Sequence, residues 1–177
     1  MHPAVPEGKD DSENVEIRAW GKKPAFNFPI KTHVELIEQL GIADFNASAQ
    51  TSGNGFYYLK GNLGQLNQAL IRFAVDFMNK KGYLYIEPPL MIRKEILGAA
   101  INAEEWEKSI YSIENENLAL IGTSEHALLG IHAGDCFTEK QLPKKYFSYS
   151  MCFRKEVGAH GINEKGLWRT HQFNKVE

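Results

Sequence analysis

The chain has 177 residues, 43% hydrophobic and 24% charged, which is an ordinary balance for a globular protein with one buried core. No apolar run is long enough to span a bilayer, so the composition predicts a cytoplasmic protein rather than a membrane protein. The net charge of −2 argues against a surface that grips nucleic acid by its phosphates. The two cysteines, Cys136 and Cys152, are too few for a disulfide framework and predict reduced thiols.

The first thirty residues have the character of a connector. Pro3 and Pro6 favour extended backbone because each proline fixes φ and restricts the residue before it. Residues 7–16 are acidic and show no hydrophobic periodicity. The sequence therefore predicts a linker over 1–30 and a folded domain over 31–177.

Local signals predict three short elements at the start of that domain. Residues 32–35 (T-H-V-E) form a capping box, and apolar positions then recur until Gly41, which predicts a short amphipathic helix. Residues 45–52 show no clear period and predict loop or irregular structure. The turn-forming residues 53–55 (G-N-G) lead into a predicted strand over 56–60, which is rich in aromatic residues.

The clearest helix is predicted over 63–81, where apolar side chains recur at three- and four-residue spacing and Gly82 follows the last turn. The members of this apolar stripe are Leu63, Leu66, Leu70, Phe73 and Phe77. Beyond the helix, the pattern predicts a strand over 83–86 and a helix over 92–100.

The last third of the chain predicts mostly strands. A short buried strand is expected over 118–121 and a helix over 125–132. Two long strands, 145–156 and 166–177, are expected to pair across a glycine-rich loop over 158–165. Helices mixed with hairpin-linked strands predict an α+β fold with an antiparallel sheet.

Charged side chains cluster on this predicted hairpin. Because side chains alternate along a strand, Arg154 and Glu156 share one face of the first strand. One face of the returning strand carries Arg169, His171, Phe173, Lys175 and Glu177. A solvated outer face would also carry mixed charge, but the many neighbouring aromatic residues predict a largely covered sheet. Charges in such a place are paired or bind a ligand.

The order of motifs resembles that of a known enzyme family. Residues 153–156 (F-R-K-E) and 168–177 (W-R-T-H-Q-F-N-K-V-E) resemble motif 2 of class II aminoacyl-tRNA synthetases, in the form found in seryl-tRNA synthetases. Residues 123–125 (T-S-E) are similar to the serine-binding T-x-E element of that family, and 62–90 fit motif 1. The whole motif 2 region spans about 145–177. This ordered series covers nearly the whole chain and is far more specific than an isolated R-x-E.

The resemblance implies an incomplete antiparallel sheet flanked by helices and a set of site residues. The implied ATP-binding residues are Arg154, Lys155, Glu156, Arg169 and Thr170. The implied serine-binding residues are Thr123, Ser124, Glu125, Arg154 and Glu177. Arg154 and Arg169 would be the catalytic residues that stabilise charge on the phosphates, and the loop 157–165 would cover the nucleotide.

The implied activity is that of a serine–tRNA ligase. Such an enzyme activates L-serine with ATP to form seryl-adenylate and then transfers the seryl group to tRNA(Ser). The first step needs no protein nucleophile, because positioning and charge stabilisation with Mg²⁺ do most of the work. The resemblance implies that the Mg²⁺ ligands lie largely outside this chain, that no zinc is bound, and that motif 1 forms a homodimer. His171 is expected to support the sheet.

The resemblance also implies that the catalytic core is partial. The main tRNA-binding arm of the family would precede residue 1, and motif 3 would follow residue 177, so little activity is expected from this chain alone. Two alternatives remain open at this point: a paralogue that loads a carrier protein, and a non-catalytic module that dimerises. Aminoacylation of tRNA or of a carrier protein separates the first alternative from the ligase. Absence of pyrophosphate exchange identifies the second.

Overall fold

The computed structural model describes residues 8–156 and 166–177, apart from the side chains of residues 103–105, and the chain divides into two units, Met1–Lys31 and Thr32–Glu177. In the first unit, the described residues are all exposed and contain one 3₁₀ turn, Asp11–Glu13. The side chain of Asp10 begins this turn by accepting a hydrogen bond from the Ser12 N–H. The linker role of this segment stays a prediction.

The second unit mixes helices with short strands. Its helices are α1 (His33–Leu40), α2 (Phe45–Ser52), α3 (Asn62–Lys80), α4 (Lys94–Ala100), α5 (Ala103–Ser109) and α6 (Ser124–Ile131). Its strands are β1 (Ala43–Asp44), β2 (Tyr58–Leu59), β3 (Leu84–Tyr85), β4 (Met91–Arg93), β5 (Leu118–Leu120), β6 (Tyr146–Phe147), β7 (Tyr149–Phe153) and β8 (Gln172–Val176). The predicted α+β class is confirmed.

Strand pairing is antiparallel in three of the four ladders that the described residues form. The antiparallel pairs are β1–β2, β4–β5 and β7–β8, and the parallel pair is β3–β6. The long strand predicted over 145–156 is divided at Ser148, so that β6 pairs with β3 and β7 pairs with β8. The hydroxyl of Ser148 donates to the Ile86 carbonyl at 2.6 Å and fixes this division.

The capping box predicted at residues 32–35 is confirmed. The Glu35 N–H donates to Thr32 Oγ1 at 3.3 Å, and the Thr32 N–H donates to Glu35 Oε2 at 2.7 Å. The helix ends at Gly41, which adopts φ of 63° in the left-handed region that glycine enters without steric cost. Two local signals thus define both ends of α1.

Several predictions about local structure were wrong. Of the strand predicted over 166–177 only Gln172–Val176 is extended, so Arg169 lies outside it. Residues 45–52 form α2 instead of a loop, because Asp44 caps it by accepting from the Ala47 N–H at 3.0 Å and Phe45 is buried. The helix predicted over 92–100 begins only at Lys94, since the preceding residues pair with β5. The strand predicted over 56–60 is limited to Tyr58–Leu59.

Two apolar cores hold the second unit together. The larger lies among β4, β5, α4 and α6, and its buried members are Ile92, Leu97, Ile110, Ala119, Ile121 and Ala127. The smaller joins α1, β1 and the start of α2 through Ile37, Ala43 and Phe45. The larger core matters for function because it supports the wall of a cavity that is described below.

Replacement of Leu97 by alanine is expected to destabilise the fold by about 2–5 kcal/mol, the usual range for emptying a fully buried leucine site. Leu97 is 0% exposed and lies at the centre of the larger core. Chemical denaturation measures the loss. The matched control is Leu40→Ala, since Leu40 is 66% exposed. An equal loss in both variants would contradict this description of the core.

The long helix α3 turns most of its predicted apolar stripe to solvent. Leu66, Leu70, Phe73 and Phe77 are between 49% and 70% exposed. A row of large apolar side chains on one helix face is more than scattered surface hydrophobicity and is typical of an interaction surface. Within the described ranges, no helix has the combination of length and apolar character that crossing a membrane requires.

Candidate active site

Two cavities meet at Arg154. The first has a volume of about 270 Å³ and is lined by Ala100, Ile101, Ser109, Ile110, Gly122, Thr123, Glu125, His126, Leu129 and Arg154. The second has a volume of about 310 Å³ and is lined by Lys108, Ser109, Arg154, Glu156 and Arg169. Arg154 and Ser109 belong to both walls, so the guanidinium lies where a ligand of one cavity would face a ligand of the other.

The Arg154 side chain is held from two sides. It follows the last residue of β7, and its Nε donates to the Gly122 carbonyl at 3.0 Å. Its guanidinium carbon lies 5.3 Å from the centre of the Phe173 ring on β8, a cation–π distance. Gly122 packs closely here, because a Cβ at this position would lie 3.0 Å from Ile110 Cδ1. These contacts fix the guanidinium before any ligand arrives.

The Glu177 carboxylate lies at the N-terminus of α6. Its Oε1 accepts from the Ser124 hydroxyl at 2.7 Å, from the Glu125 N–H at 3.1 Å and from the Thr123 hydroxyl. No side chain of α6 itself caps this end of the helix. Glu177 therefore supplies the negative charge that the N–H groups and dipole of a helix N-terminus favour.

Glu177 is held as an anion although it is largely buried. Burial raises its pKa, but hydrogen bonds from Lys175, Ser124 and Thr123, together with the Lys175 charge, outweigh burial and lower the pKa from 4.5 to about 2. The Lys175 ammonium forms an ion pair with Oε2 and donates to Thr123 Oγ1 at 2.9 Å. All the residues around this carboxylate thus favour its charged form at neutral pH.

An ion pair forms one wall of the second cavity. Arg169 Nη1 lies 3.1 Å from Glu156 Oε2, and the side-chain exposures are 60% for Arg169 and 15% for Glu156. Glu156 has φ of 47°, an uncommon conformation for a residue other than glycine. Such backbone conformations often mark functional sites, and here the conformation lies at the cavity wall.

Two of the residues predicted to bind ATP do not line either cavity. The Lys155 ammonium donates to the Glu107 carbonyl at 3.0 Å, and its backbone N–H donates to the Ser109 carbonyl at 2.9 Å. These bonds tie α5 to the end of β7. Thr170 is only 5% exposed. The loop 157–165, predicted to cover the nucleotide, lies outside the described residues.

The predicted serine-binding residues are brought together, but in different ways. Thr123 and Glu125 line the first cavity with Arg154. The hydroxyl of Ser124 is fully buried and donates to Glu177, so Ser124 positions that carboxylate from behind. Glu177 reaches the cavity wall through Thr123.

His171 supports the hairpin, as the sequence predicted. Its Nδ1 lies 2.8 Å from the Tyr111 hydroxyl and 3.0 Å from the Arg154 carbonyl, and its ring stacks on Phe56 at 5.2 Å. Gly55 accommodates this ring, because a Cβ at Gly55 would lie 2.6 Å from His171 Cδ2. His171 therefore fixes the backbone of the residue that joins the two cavities.

Sequence reasoning missed several wall residues. Lys108 and Ser109 come from α5, whose signal was the helix-capping residue Asn102 before an acidic first turn. His126 is 6% exposed, and burial lowers its pKa, so the imidazole is neutral at pH 7. No local pattern placed His126 in a cavity, because that placement depends on how α6 packs against the rest of the unit.

Comparisons with known proteins agree with this geometry. Residues 108–177 match the family described as the tRNA synthetase class II core domain (G, H, P, S and T). Among solved structures, the chain superposes on a seryl-tRNA synthetase from Pyrococcus horikoshii complexed with ATP, with a TM-score of 0.94 and 41% identity over 99% of this chain and 44% of that one. The chain also superposes on the cytoplasmic serine–tRNA ligase from Naegleria fowleri, solved in complex with AMP, with a TM-score of 0.91 and 33% identity. This match covers 99% of this chain and 42% of that one. The fold of this chain is therefore similar to part of these two seryl-tRNA synthetase structures.

Two similar sequences are both serine–tRNA ligases. The serine–tRNA ligase of Nitrosopumilus maritimus is 45% identical over the whole chain, and that of Rubrobacter xylanophilus is 48% identical over 99% of it. Almost the whole chain is thus similar to part of these serine–tRNA ligases. It spans about 42% of the length of these relatives.

Proposed function

We propose that this chain carries the front part of the serine-activating site of a serine–tRNA ligase. The observation that carries the proposal is the position of Arg154 in the walls of both cavities. Adenylate formation joins an amino-acid carboxylate to the α-phosphorus of ATP, so it needs two adjoining pockets with a cation at their junction. A guanidinium suits that place because it binds phosphate oxygens bidentately and stabilises charge that develops at phosphorus.

The second cavity is the proposed nucleotide pocket. Its polar wall consists of three cations and the Glu156 carboxylate, which suits a polyphosphate next to a base with an amino group. The ion pair with Arg169 holds Glu156 in place to accept from that amino group. The relatives solved with ATP and AMP support this choice of ligand.

The first cavity is the proposed serine pocket. Its volume of about 270 Å³ suits a small amino acid, and Thr123 and Glu125 provide acceptors for an ammonium group. Glu177, which lies behind Thr123, offers a further acceptor for the ammonium group, and Thr123 also offers an acceptor for the substrate hydroxyl. A site built to pair with a hydroxyl rejects alanine, because its buried polar groups would be left unpaired.

The reaction follows from these positions. The serine carboxylate attacks the α-phosphorus, a new C–O–P linkage forms, and pyrophosphate leaves with the electron pair of the broken P–O bond. A hydroxyl of the terminal ribose of tRNA(Ser) then attacks the seryl carbonyl and loses its proton, and AMP leaves with the electron pair of the broken C–O bond. Arg154 contributes by orienting and charge stabilisation, and no protein side chain becomes covalently bonded. A cytoplasmic location accompanies the proposal, in keeping with the cytoplasmic relative from Naegleria.

The described residues do not form a metal site with three or more protein ligands. Among residues 8–156 and 166–177, no three acidic, imidazole or thiol groups converge as metal ligands. Glu156 and Glu177 are each paired with a basic side chain.

Serine-dependent exchange of label between pyrophosphate and ATP tests the proposal. For this assay the chain replaces the matching region of the Nitrosopumilus serine–tRNA ligase, which gives a chimera of full length. We expect the chimera to catalyse exchange with serine and not with alanine. A folded chimera that shows no exchange with any amino acid would contradict the proposal, and transfer of serine to a carrier protein instead of tRNA would favour the alternative that loads a carrier.

We also propose that the exposed stripe on α3 forms a homodimer. Replacement of Phe73 by aspartate is expected to weaken dimerisation by at least about thirtyfold, because aromatic residues at the centre of an interface are frequent hot spots. Sedimentation of the chain at micromolar concentration measures the effect. The control is Gln68→Asp, since helical periodicity places Gln68 outside the stripe on the same helix. A chain that sediments as a monomer, or equal effects of the two substitutions, would contradict this surface.

A further inference from the structure

The cation nearest to Glu177 belongs to the protein itself. The Lys175 ammonium contacts Glu177 and Thr123, two of the groups to which the proposed function assigns the serine substrate. Resting on that function, we propose that the Lys175 ammonium occupies the subsite for the substrate ammonium and is displaced when serine binds. Lys175 would then set the serine affinity of the site by competing with the substrate.

The two oxygens of the Glu177 carboxylate differ in their partners. Oε1 is committed to three protein donors, which are the hydroxyls of Thr123 and Ser124 and the N–H of Glu125. Oε2 is buried, and its contact with the Lys175 ammonium is the polar contact that the described residues make with it. Its one described charged neighbour is Lys175, with which it forms an ion pair. A cationic ligand can therefore displace Lys175 and bind Oε2, while the hydrogen bonds of Oε1 at the N-terminus of α6 remain.

Burial explains why a cation must be present in the absence of substrate. The Glu177 side chain is only 13% exposed, and a buried carboxylate without a countercharge is strongly destabilising. An ammonium group on a lysine and an ammonium group on an amino acid are the same chemical group, with three N–H donors and one positive charge. Either ammonium group can form an ion pair with Glu177 Oε2 and donate a hydrogen bond to Thr123 Oγ1.

The lysine is suited to withdrawal. Its side chain is 33% exposed, and its four-carbon stem is flexible, so the ammonium can move to solvent while the stem stays against the sheet. Glu177 is absent from the lining of the first cavity, which ends at Thr123 on this side. Movement of Lys175 would uncover Oε2 and give the substrate ammonium access to it.

This arrangement has a measurable consequence. A ligand that binds only when Lys175 has left the subsite has its apparent affinity reduced by the fraction of molecules in that open state. Removal of the lysine charge should therefore strengthen the binding of small ammonium compounds. A lysine that merely supported the site would give the opposite result, since its removal would weaken binding.

The test compares Lys175→Met with Lys60→Met in the 177-residue chain. Lys60 forms a more exposed ion pair with Asp44 at 3.4 Å outside the site, so Lys60→Met controls for the loss of a lysine charge. Methylammonium and L-serine are titrated separately, and the NMR signal of the Glu125 N–H, which donates to Glu177, reports binding. Lys175→Gln is a second variant, in case the methionine side chain perturbs the fold.

We expect Lys175→Met to bind methylammonium roughly three- to tenfold more tightly than the unmodified chain, while Lys60→Met behaves like the unmodified chain. Equal or weaker binding by Lys175→Met overturns the inference, and so does unfolding of both Lys175 variants, because a displaceable group must be dispensable. Tighter methylammonium binding without serine binding by any variant supports the cation subsite and contradicts the proposed function.

Discussion

Replacement of Arg154 by alanine is expected to reduce serine-dependent pyrophosphate exchange by the chimera about 10²- to 10³-fold, the usual effect of removing one charge-stabilising group. The reason is geometric, since Arg154 is the charged residue that lines both cavities. Removal also breaks its bond to the Gly122 carbonyl and its contact with Phe173, so a folding check must accompany the rate. The rate is measured at saturating ATP and serine.

Two further variants make this prediction specific. Arg154→Lys keeps the positive charge but loses the planar, bidentate guanidinium. We therefore expect Arg154→Lys to show most of the loss of exchange activity that Arg154→Ala shows. Arg93→Ala removes an exposed arginine on β4 and should leave exchange unchanged. A chimera with Arg154→Ala that is folded and exchanges as fast as the unmodified chimera would show that the junction between the cavities is not where adenylate forms.

Replacement of Glu177 by glutamine is expected to weaken serine binding at least about a hundredfold, because charged groups that are paired and buried have the largest effects in recognition. The same variant should change the pH dependence of stability. The pKa of Glu177 is lowered from 4.5 to about 2 in the folded chain, so its ionised form stabilises the fold at every pH above 4.5. This contribution is lost as the pH falls from 4.5 to about 2.

Thermal unfolding of the 177-residue chain measures the second effect. The unmodified chain should lose stability steadily over that acidic window, and Glu177→Gln should lose less, because glutamine does not titrate. Glu114→Gln is a suitable control, since Glu114 is exposed and lies outside the site. Identical acid unfolding of Glu177→Gln and the unmodified chain would show that the contacts at the start of α6 do not hold this carboxylate ionised.

The sequence predicted those parts of the fold in which local chemistry decides. The capping box of Thr32 and Glu35 with Gly41 located α1 to within a residue, and the apolar spacing located α3. Prediction from the sequence failed where packing between elements decides the local structure. The residues of α2 are modest helix formers that become helical because Asp44 caps them and Phe45 is buried in the smaller core.

The candidate site divides in the same way. The series of motifs in 153–156 and 168–177 drew attention to Arg154, Glu156, Arg169 and Glu177, and the structure places these side chains around two adjoining cavities or directly behind their walls. Lys108 and His126 could not be predicted, because they join the walls through contacts between elements that are distant in sequence. The role of Lys175 also required coordinates, since a strand pattern gives the face of a side chain but not its partner.

Binding of a non-hydrolysable seryl-adenylate analogue to the 177-residue chain tests the central claim most directly, because one molecule occupies both cavities and the junction at Arg154. Calorimetry with the seryl, alanyl and threonyl forms measures whether the first pocket recognises the serine side chain. We predict that the seryl form binds, and that the alanyl form binds at least about tenfold more weakly, since its methyl group leaves the hydroxyl-binding groups unpaired. Equal affinity for all three forms, or no binding of the seryl form by the folded chain, would contradict the claim that these two cavities form a serine-activating site.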